Sequence, residues 1–341
     1  MLDLAASNLL SPAILCFVLG AAAVALRSDL RLPEPIVAAL SIYLMLAIGM
    51  KGGVELAGRS PAELAAPIAA AFFLGCAIPL WCYALLRRYA GLGVSDAAAM
   101  AAHYGSVSAV TFAAATALLD QQQIPFEGYA AALLAIMEIP AIVVAIGLAG
   151  YSMMTSTTHT NRGGAMVLGG QPGLSADGPR LANVLSDALA SKSVLLLAGG
   201  LVIGVLIGPA GLAKVKPLFV DLFPGLLCLF LLELGRLAAS KFDDFRQVGS
   251  KLLVFAIAMP VVHAALGIVL AHAVGLSEGG AVILGVLAAS ASYIAAPAAV
   301  RLALPEANPG YYLTCSLAIT FPFNIVVGLP LYAAMAHWLH H

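Results

Sequence analysis

Charged residues are scarce in this chain of 341 residues, and their scarcity excludes several classes of protein. Only 10% of the residues are Asp, Glu, Lys or Arg, whereas a soluble domain usually carries about 25%. The 16 basic residues nearly balance the 17 acidic ones, so no basic surface is available for nucleic acid. Because 62% of the residues are hydrophobic, a disordered chain is excluded as well.

Cysteine and enzyme motifs are also in short supply. The five cysteines lie in apolar stretches at no metal-ligand spacing, so neither a disulfide scaffold nor a cysteine metal site is expected. The sequence contains no phosphate-binding loop, no HExxH and no CxxC. We therefore expect that the protein is not an enzyme and has no organic cofactor.

Long apolar runs dominate the sequence instead. A membrane-spanning helix needs about 20 mostly apolar residues. Ten runs near that length occur, at 10–26, 34–52, 62–86, 96–119, 127–150, 191–208, 217–237, 248–273, 279–303 and 310–337. The 33 glycines and 19 prolines also suit membrane helices, which tolerate both residues. The sequence therefore predicts an all-α polytopic membrane protein with ten transmembrane helices.

A polar segment and the basic residues predict the organisation and the topology. Residues 151–190 are rich in Ser, Thr and Gly, and are expected to link two five-helix halves, 1–150 and 191–341. Cytoplasmic loops retain Lys and Arg. With both termini outside, 12 basic residues fall in inner loops and only 4, Lys51, Arg59, Lys214 and Lys216, in outer loops. We therefore expect outer termini and a cytoplasmic linker.

The two halves show an internal repeat at an offset of 180–184 residues. Each contains a glycine, a Ser-x-Ser motif fifteen residues later, and then a tyrosine followed eleven residues on by a proline. These are Gly91, 106–108, Tyr129 and Pro140 in the first half, and Gly275, 290–292, Tyr311 and Pro322 in the second. An odd number of helices per copy inverts the second copy. Inverted repeats are typical of secondary transporters, with the binding site at the midplane, so alternating access is predicted.

The two Ser-x-Ser motifs lie inside the fourth and ninth predicted helices. Gly105 in one and Pro297 in the other are residues at which a helix can break. A broken helix presents free N–H groups and a positive dipole end, and both favour an anion. Small and hydroxyl residues are also typical of tight helix packing in membranes, and this alternative stays open.

Glu138 lies near the middle of the fifth predicted helix, where an ionisable group is a functional hypothesis. Its repeat partner is Thr320, and Asn324 follows one turn later. With Ser108 and Thr111, these residues offer hard oxygen ligands for Na⁺. His103 is a further candidate for substrate contact or proton transfer, although an interior histidine is more often a hydrogen-bonded structural group. Glu233 is expected to pair with Arg236, three residues further along the same helix.

The sequence resembles the sodium-dependent bicarbonate transporters of the SbtA type over nearly its whole length. The resemblance rests on LPEPI at 32–36, IGMKGG at 48–53, GSVSAVTFAAA at 105–115, MEIPA at 137–141 and AASASYIAAPAAVRLALPEANP at 288–309. It implies a homotrimer of five-plus-five inverted repeats, placed in a bacterial inner (plasma) membrane. Helices 3–5 and 8–10 would form a core domain with crossed, broken helices 4 and 9, and helices 1, 2, 6 and 7 a gate domain.

In that family, bicarbonate binds at the crossing against serines and backbone N–H groups, with Na⁺ close by. The resemblance carries anion binding to Gly105, Ser106, Val107, Ser108, Ser290, Ala291, Ser292 and Tyr293. Cyanobacterial members have an acidic residue at the position of Tyr293 and Asp at that of Glu138, so the sodium stoichiometry stays open. The resemblance also admits a cytoplasmic PII-like regulator as a partner, besides membrane lipid.

Together these observations predict a secondary active transporter that carries out Na⁺-dependent symport of bicarbonate by alternating access, through an elevator-like or rocking motion. Two alternatives remain. One is a Na⁺- or H⁺-coupled transporter of another small carboxylate or anion. The other is a channel or sensor built on the same scaffold.

Overall fold

The computed structural model describes residues 8–160, 186, 189–242 and 245–341. Within these ranges the protein is helical and has no strand, as predicted. Most of the predicted 151–190 linker lies outside the described residues. Its first ten residues are helical, however, and continue the preceding helix to Thr160. Residues 151–160 contain neither Gly nor Pro, so nothing in them ends the helix at the predicted boundary.

The helices of each half follow the predicted spans closely. In the first half they are α1 (Pro12–Ala25), α2 (Glu34–Leu56), α3 (Pro61–Leu85), α4 (Val94–Gly105), α5 (Ala109–Gln121) and α6 (Ala130–Thr160). In the second half they are α7 (Lys192–Lys216), α8 (Phe223–Ser240), α9 (Phe245–Ala273), α10 (Glu278–Ala289), α11 (Ala296–Ala303) and the helical run α12 (Pro309–His340). Short π-helical turns follow α3 and α7 and interrupt α12.

Seven helical runs in the described ranges are long and apolar enough to cross a membrane. One of them, Lys192–Ser240, has 49 residues and contains both the sixth and the seventh predicted spans. It bends at Gly208, whose φ of 58° is one that residues with a side chain rarely adopt, and Pro209 follows. Two further apolar helices, α1 and α10, are shorter, with 14 and 12 residues. The protein therefore has several membrane-spanning helices, and the ten-helix layout stays a prediction.

Glycines bring two pairs of helices into backbone contact. Gly53 of α2 lies against Gly204 of α7, where a Cβ on Gly204 would come within 2.8 Å of the Gly53 Cα. The same kind of contact joins α1 to α8 through Gly20 and Gly235. Contacts between small residues are typical of membrane helices, because close backbone approach supplies the packing energy that a hydrophobic effect cannot supply in lipid.

Candidate functional site

Both helices predicted to break are broken, and both breaks are buried. Helix α4 ends at Gly105 and α5 begins at Ala109, with an extended segment between them. Helix α10 ends at Ala289 and α11 begins at Ala296. The first residue after each break has nearly the same backbone conformation: φ −83° and ψ 162° at Ser106, φ −77° and ψ 159° at Ser290.

The glycine and the proline beside the breaks have different roles. Gly105 is still helical, so it does not itself break the helix. A Cβ at Gly105 would lie 2.6 Å from Cγ of Pro79 and 3.0 Å from Cβ of Ala141, so this glycine allows α3 and α6 to pack against α4. Pro297 lies in the first turn of α11, where the missing N–H costs no intrahelical hydrogen bond.

The two extended segments are hydrogen-bonded to each other where they cross. The Ser108 N–H donates to Oγ of Ser290 at 2.9 Å, and the Ser292 N–H donates to the His103 carbonyl at 2.8 Å. The Ser290 hydroxyl in turn donates to the Leu287 carbonyl at 2.9 Å. The crossing is therefore held by backbone and serine groups rather than by charged side chains.

Two of the predicted serines accept hydrogen bonds from the first turns of the half-helices that follow the breaks, and Ser108 is the N-cap of α5. Oγ of Ser108 accepts from the Thr111 N–H at 3.2 Å and from the Thr111 hydroxyl at 3.0 Å. Oγ of Ser292 accepts from the Ala296 N–H at 3.2 Å. The N–H of Ala109, in the first turn of α5, has no intrahelical partner, as at every helix start. The positive dipole ends of the two half-helices and the Ala109 N–H thus lie at the crossing, where they favour an anion.

A small cavity of about 10 Å³ lies at this crossing, with room for roughly one water-sized species. Its polar side chains are four hydroxyl groups and one carboxylate, contributed by both broken segments and by α6 and α7. These polar residues are Ser108, Glu138, Ser193, Ser292 and Tyr293. The rest of the lining is Met45, Val107, Ala109, Leu134, Ile294 and Ala295.

Glu138 is the charged group of the cavity lining. It is only 3% exposed, and its Oε2 has no hydrogen-bond partner in the described structure. An unpaired charge at membrane depth costs about 3 kcal/mol or more, so this carboxylate needs a cation or a proton. Pro140 removes a hydrogen bond from α6 and leaves the Ile136 carbonyl without its helical donor. The carboxylate and the neighbouring serine hydroxyls are oxygen donors of the kind that hard cations such as Na⁺ prefer.

Thr320 and Asn324, the other predicted cation ligands, form hydrogen bonds away from this cavity. The Thr320 hydroxyl donates to the Ala256 carbonyl at 2.7 Å and lies 2.7 Å from the Tyr104 hydroxyl. The Asn324 amide donates to the Ala289 carbonyl at 2.9 Å, at the end of α10. Neither residue lines the cavity, and Thr111 reaches it only through Ser108. Their part in cation binding stays a prediction.

The remaining predicted residues lie beside the breaks rather than in the cavity wall. These are Gly105, Ser106, Ser290, Ala291 and His103. His103 is fully buried, its Nδ1 lies 2.7 Å from the Ala99 carbonyl, and its ring stacks on Tyr312 with centroids 4.5 Å apart. Nε2 of His103 and Oγ of Ser106 have no partner in the described residues. Both are polar groups held in the interior next to the crossing.

Ser193 of α7 lines the cavity but was not predicted from the sequence. It is 2% exposed and lies two residues after Ser191, which caps α7. In the sequence, Ser193 therefore resembles one of the polar residues that commonly begin a helix, and nothing marks it as part of a binding site. One signal was available in the sequence. Ser193 is a polar residue inside a predicted span, whereas the equivalent residue of the first half, Ala13, is apolar.

A second cavity, of about 350 Å³, adjoins the first. Tyr293 and Ile294 line both cavities and so form the wall between them. The larger cavity is bounded by the predicted Glu233–Arg236 pair, which is confirmed: Nε of Arg236 donates to both carboxylate oxygens at 3.0 Å. The Leu32 N–H also donates to Glu233, at 3.2 Å. The mutual neutralisation of this pair explains why a buried glutamate is tolerated here.

Comparison with known proteins identifies the family. No curated protein matches the sequence. The family model of the Na⁺-dependent bicarbonate transporter superfamily matches residues 12–337, which is nearly the whole chain. The broken helices and the Glu138 cavity lie within the matched range. The chain therefore belongs to the Na⁺-dependent bicarbonate transporter superfamily.

Proposed function

We propose that this transporter couples the entry of bicarbonate to that of Na⁺ by alternating access, with both ions bound at the helix crossing. The observation that carries the proposal is the cavity in which an unpartnered Glu138 carboxylate oxygen faces the hydroxyls of Ser108, Ser193 and Ser292. These hydroxyls stand beside the start of α5. The lining of one cavity thus offers a carboxylate to a cation and hydroxyls to an anion, and the cavity must widen from its present volume of about 10 Å³ to admit both ions.

The coupling follows from the charges. An ionised Glu138 repels a monoanion at the start of α5, because both charges lie in a poorly screened interior. Na⁺ bound to the carboxylate cancels that repulsion, and a bound anion in turn strengthens the hold on Na⁺. Each ion raises the affinity for the other by the same factor, which is the reciprocity that symport requires.

Contacts between equivalent segments of the predicted repeat support alternating access. Two hydrogen bonds join such segments: Ser108 with Ser290, between the two Ser-x-Ser motifs, and Trp81 with His263, between the third and eighth predicted spans, where Nε1 and Nε2 are 2.9 Å apart. Equivalent segments come into contact near the twofold axis of a repeat. Such an axis relates the two copies of an inverted repeat, and exchange of their conformations moves the opening from one side to the other.

The glycine contacts support the division into gate and core. Helices α1 and α8, and α2 and α7, pack closely through small residues. These four helices correspond to the predicted spans 1, 7, 2 and 6. Close backbone packing of this kind makes them a unit against which the helices that carry the breaks can move.

Two larger cavities supply the routes on either side. One, of about 650 Å³, is lined by Lys51, Arg59 and Lys216, which the distribution of basic residues assigns to the outside. The other, of about 350 Å³, contains Arg31 and Arg236, which are assigned to the inside. The site shares Tyr293 and Ile294 with the second cavity and no residue with the first. The wall on the inner side is therefore the thinner one.

Uptake of radiolabelled bicarbonate into proteoliposomes tests the proposal. We expect saturable uptake that depends on an inward Na⁺ gradient, measured against protein-free liposomes to subtract passive entry of CO₂. Uptake driven by a proton gradient without Na⁺ would instead assign a proton to Glu138. Ion currents that never saturate would indicate a channel, and preferential uptake of another small carboxylate would exclude bicarbonate as the substrate.

A further inference from the structure

A corner of the molecule remote from the helix crossing gathers most of its histidines. Four of the seven in the chain lie there: His272, His337, His340 and His341. They form two neighbouring pairs of rings, with centroids 4.7 Å apart for His272 and His340 and 4.6 Å apart for His337 and His341. Glu278, the first residue of α10, lies against the second pair.

The second pair and Glu278 place three potential metal ligands together. Nδ1 of His337 is 3.0 Å from Oε1 of Glu278, and Nε2 of His341 is 3.4 Å from Oε2 of the same carboxylate. One ligand atom from each residue lies within 4.8 Å of the other two. His337 lies in the last turn of α12 and His341 is the C-cap of that helix, four residues later, so their side chains lie on the same side of the helix end. Glu278 faces them from a different helix.

We propose that Glu278, His337 and His341 bind a divalent transition metal ion such as Zn²⁺. Two imidazole nitrogens and one carboxylate oxygen are a donor set that Zn²⁺ uses, with further positions left to water. Mg²⁺ and Ca²⁺ prefer oxygen ligands alone, so the imidazoles select against them. The histidine side chains are 64% exposed, so an ion reaches them directly from solvent.

The position of this site defines what a bound ion would do. Helix α10 runs from Glu278 directly into the broken segment that carries Ser290 and Ser292. The two histidines lie at the end of α12, which also packs against α10. A metal at this corner ties the start of α10 to the end of α12, on the face that the predicted topology places outside. The site rests on its own ligands and does not require the proposed symport.

Metal titration of the full chain, purified in detergent without a polyhistidine tag, tests this inference. We expect saturable binding of one Zn²⁺ per chain, and a visible absorption band with Co²⁺ that Zn²⁺ abolishes. His337→Ala, His341→Ala and Glu278→Gln should each weaken Zn²⁺ binding at least about tenfold, because even the loss of a second-layer partner of a metal ligand costs about 10- to 100-fold. Their unfolding temperatures without metal report whether they remain folded.

His272→Ala is the matched control, because it removes a histidine from the same corner but not from the three proposed ligands. It should bind Zn²⁺ as the unmodified chain does and should gain the same rise in unfolding temperature on Zn²⁺ addition. If Zn²⁺ still raises the unfolding temperature of His337→Ala, the proposal is contradicted. The absence of saturable binding also contradicts it, as does an equal loss in His272→Ala, which would move the ion to the His272–His340 pair.

Discussion

Among single residues, Glu138 has the environment that most constrains its chemistry. Its carboxylate is buried, lacks a hydrogen-bond partner at Oε2 and faces a cavity of about the size of one water molecule. A structural carboxylate at such depth normally has a paired cation, as Glu233 has in Arg236. The contrast between these two buried glutamates supports the proposal that a cation or a proton from solution binds Glu138.

Glu138→Gln should raise the Na⁺ concentration for half-maximal uptake about 10- to 100-fold, because a contact to a charged group contributes about 1.5–3 kcal/mol. The substitution removes the charge and nearly preserves the volume, so the protein should stay folded. Sodium-dependent uptake at matched expression measures the effect. Glu63→Gln, which alters an exposed carboxylate on α3, is the control. Unchanged sodium dependence in Glu138→Gln would make this glutamate structural.

Ser108→Ala and Ser292→Ala should weaken apparent anion affinity about 10- to 100-fold, since each removes a hydroxyl from the cavity. Ser108 is also the N-cap of α5, and Ser292 accepts from the first N–H of α11; loss of a cap costs about 0.5–2 kcal/mol of stability. Ser11→Ala removes an equivalent cap from α1, outside the cavity, and therefore separates the two effects. Uptake measured against anion concentration is the readout. If all three variants behave alike, the crossing serines act as caps and the anion binds elsewhere.

At the scale of helices, the sequence indicates where two helices are interrupted but not which contacts each residue beside the interruption makes. Gly105 and Pro297, beside the paired Ser-x-Ser motifs, predicted both breaks, but Gly105 is itself helical and Pro297 lies in the first turn of the helix that follows. The close approach of Pro79 to Gly105, by contrast, is a tertiary contact with no signature in spacing.

The same limit applies to hydrogen bonds between distant helices. Thr320 and Asn324 carry the donors and acceptors that a cation site needs, yet their hydrogen bonds go to the Ala256 and Ala289 carbonyls. Those carbonyls need outside donors because Pro260 and the break after Ala289 interrupt the helical hydrogen bonds. Ser193 lines the cavity because α7, in the second half of the chain, packs beside the broken helices, and that tertiary contact also has no signature in the sequence.

Helix packing between α2 and α7 yields a prediction with a close control. Gly204→Ala should lower the unfolding temperature markedly, since its Cβ would lie 2.9 Å from the Val54 nitrogen, and overpacking costs about 1–3 kcal/mol. Gly199→Ala, on the same helix, meets no atom within 4 Å and should leave stability unchanged or slightly higher. Thermal unfolding in detergent compares them. Equal tolerance of both variants would mean that α2 and α7 do not pack this closely.

For the whole molecule, topology decides which cavity faces the cell interior. In a background with the half-buried native cysteines Cys16, Cys76 and Cys228 replaced, Lys216→Cys should react with a membrane-impermeant maleimide in intact cells. Arg31→Cys should react only after permeabilisation, because the distribution of basic residues assigns Arg31 to the inside. Labelling of these two positions from the opposite sides would invert the assignment of the cavities.

The wall formed by Tyr293 and Ile294 belongs to the same short segment as Ser290 and Ser292. In the proposed mechanism, recognition of the anion and prevention of ion leak are therefore properties of one stretch of backbone. A substitution there that makes room for a bulkier anion also thins the barrier to the adjoining cavity, and uncoupled ion flow follows. Natural changes of substrate in such a protein should consequently be accompanied by compensating changes at the same few positions. Substrate preference and resistance to ion leak should therefore evolve together.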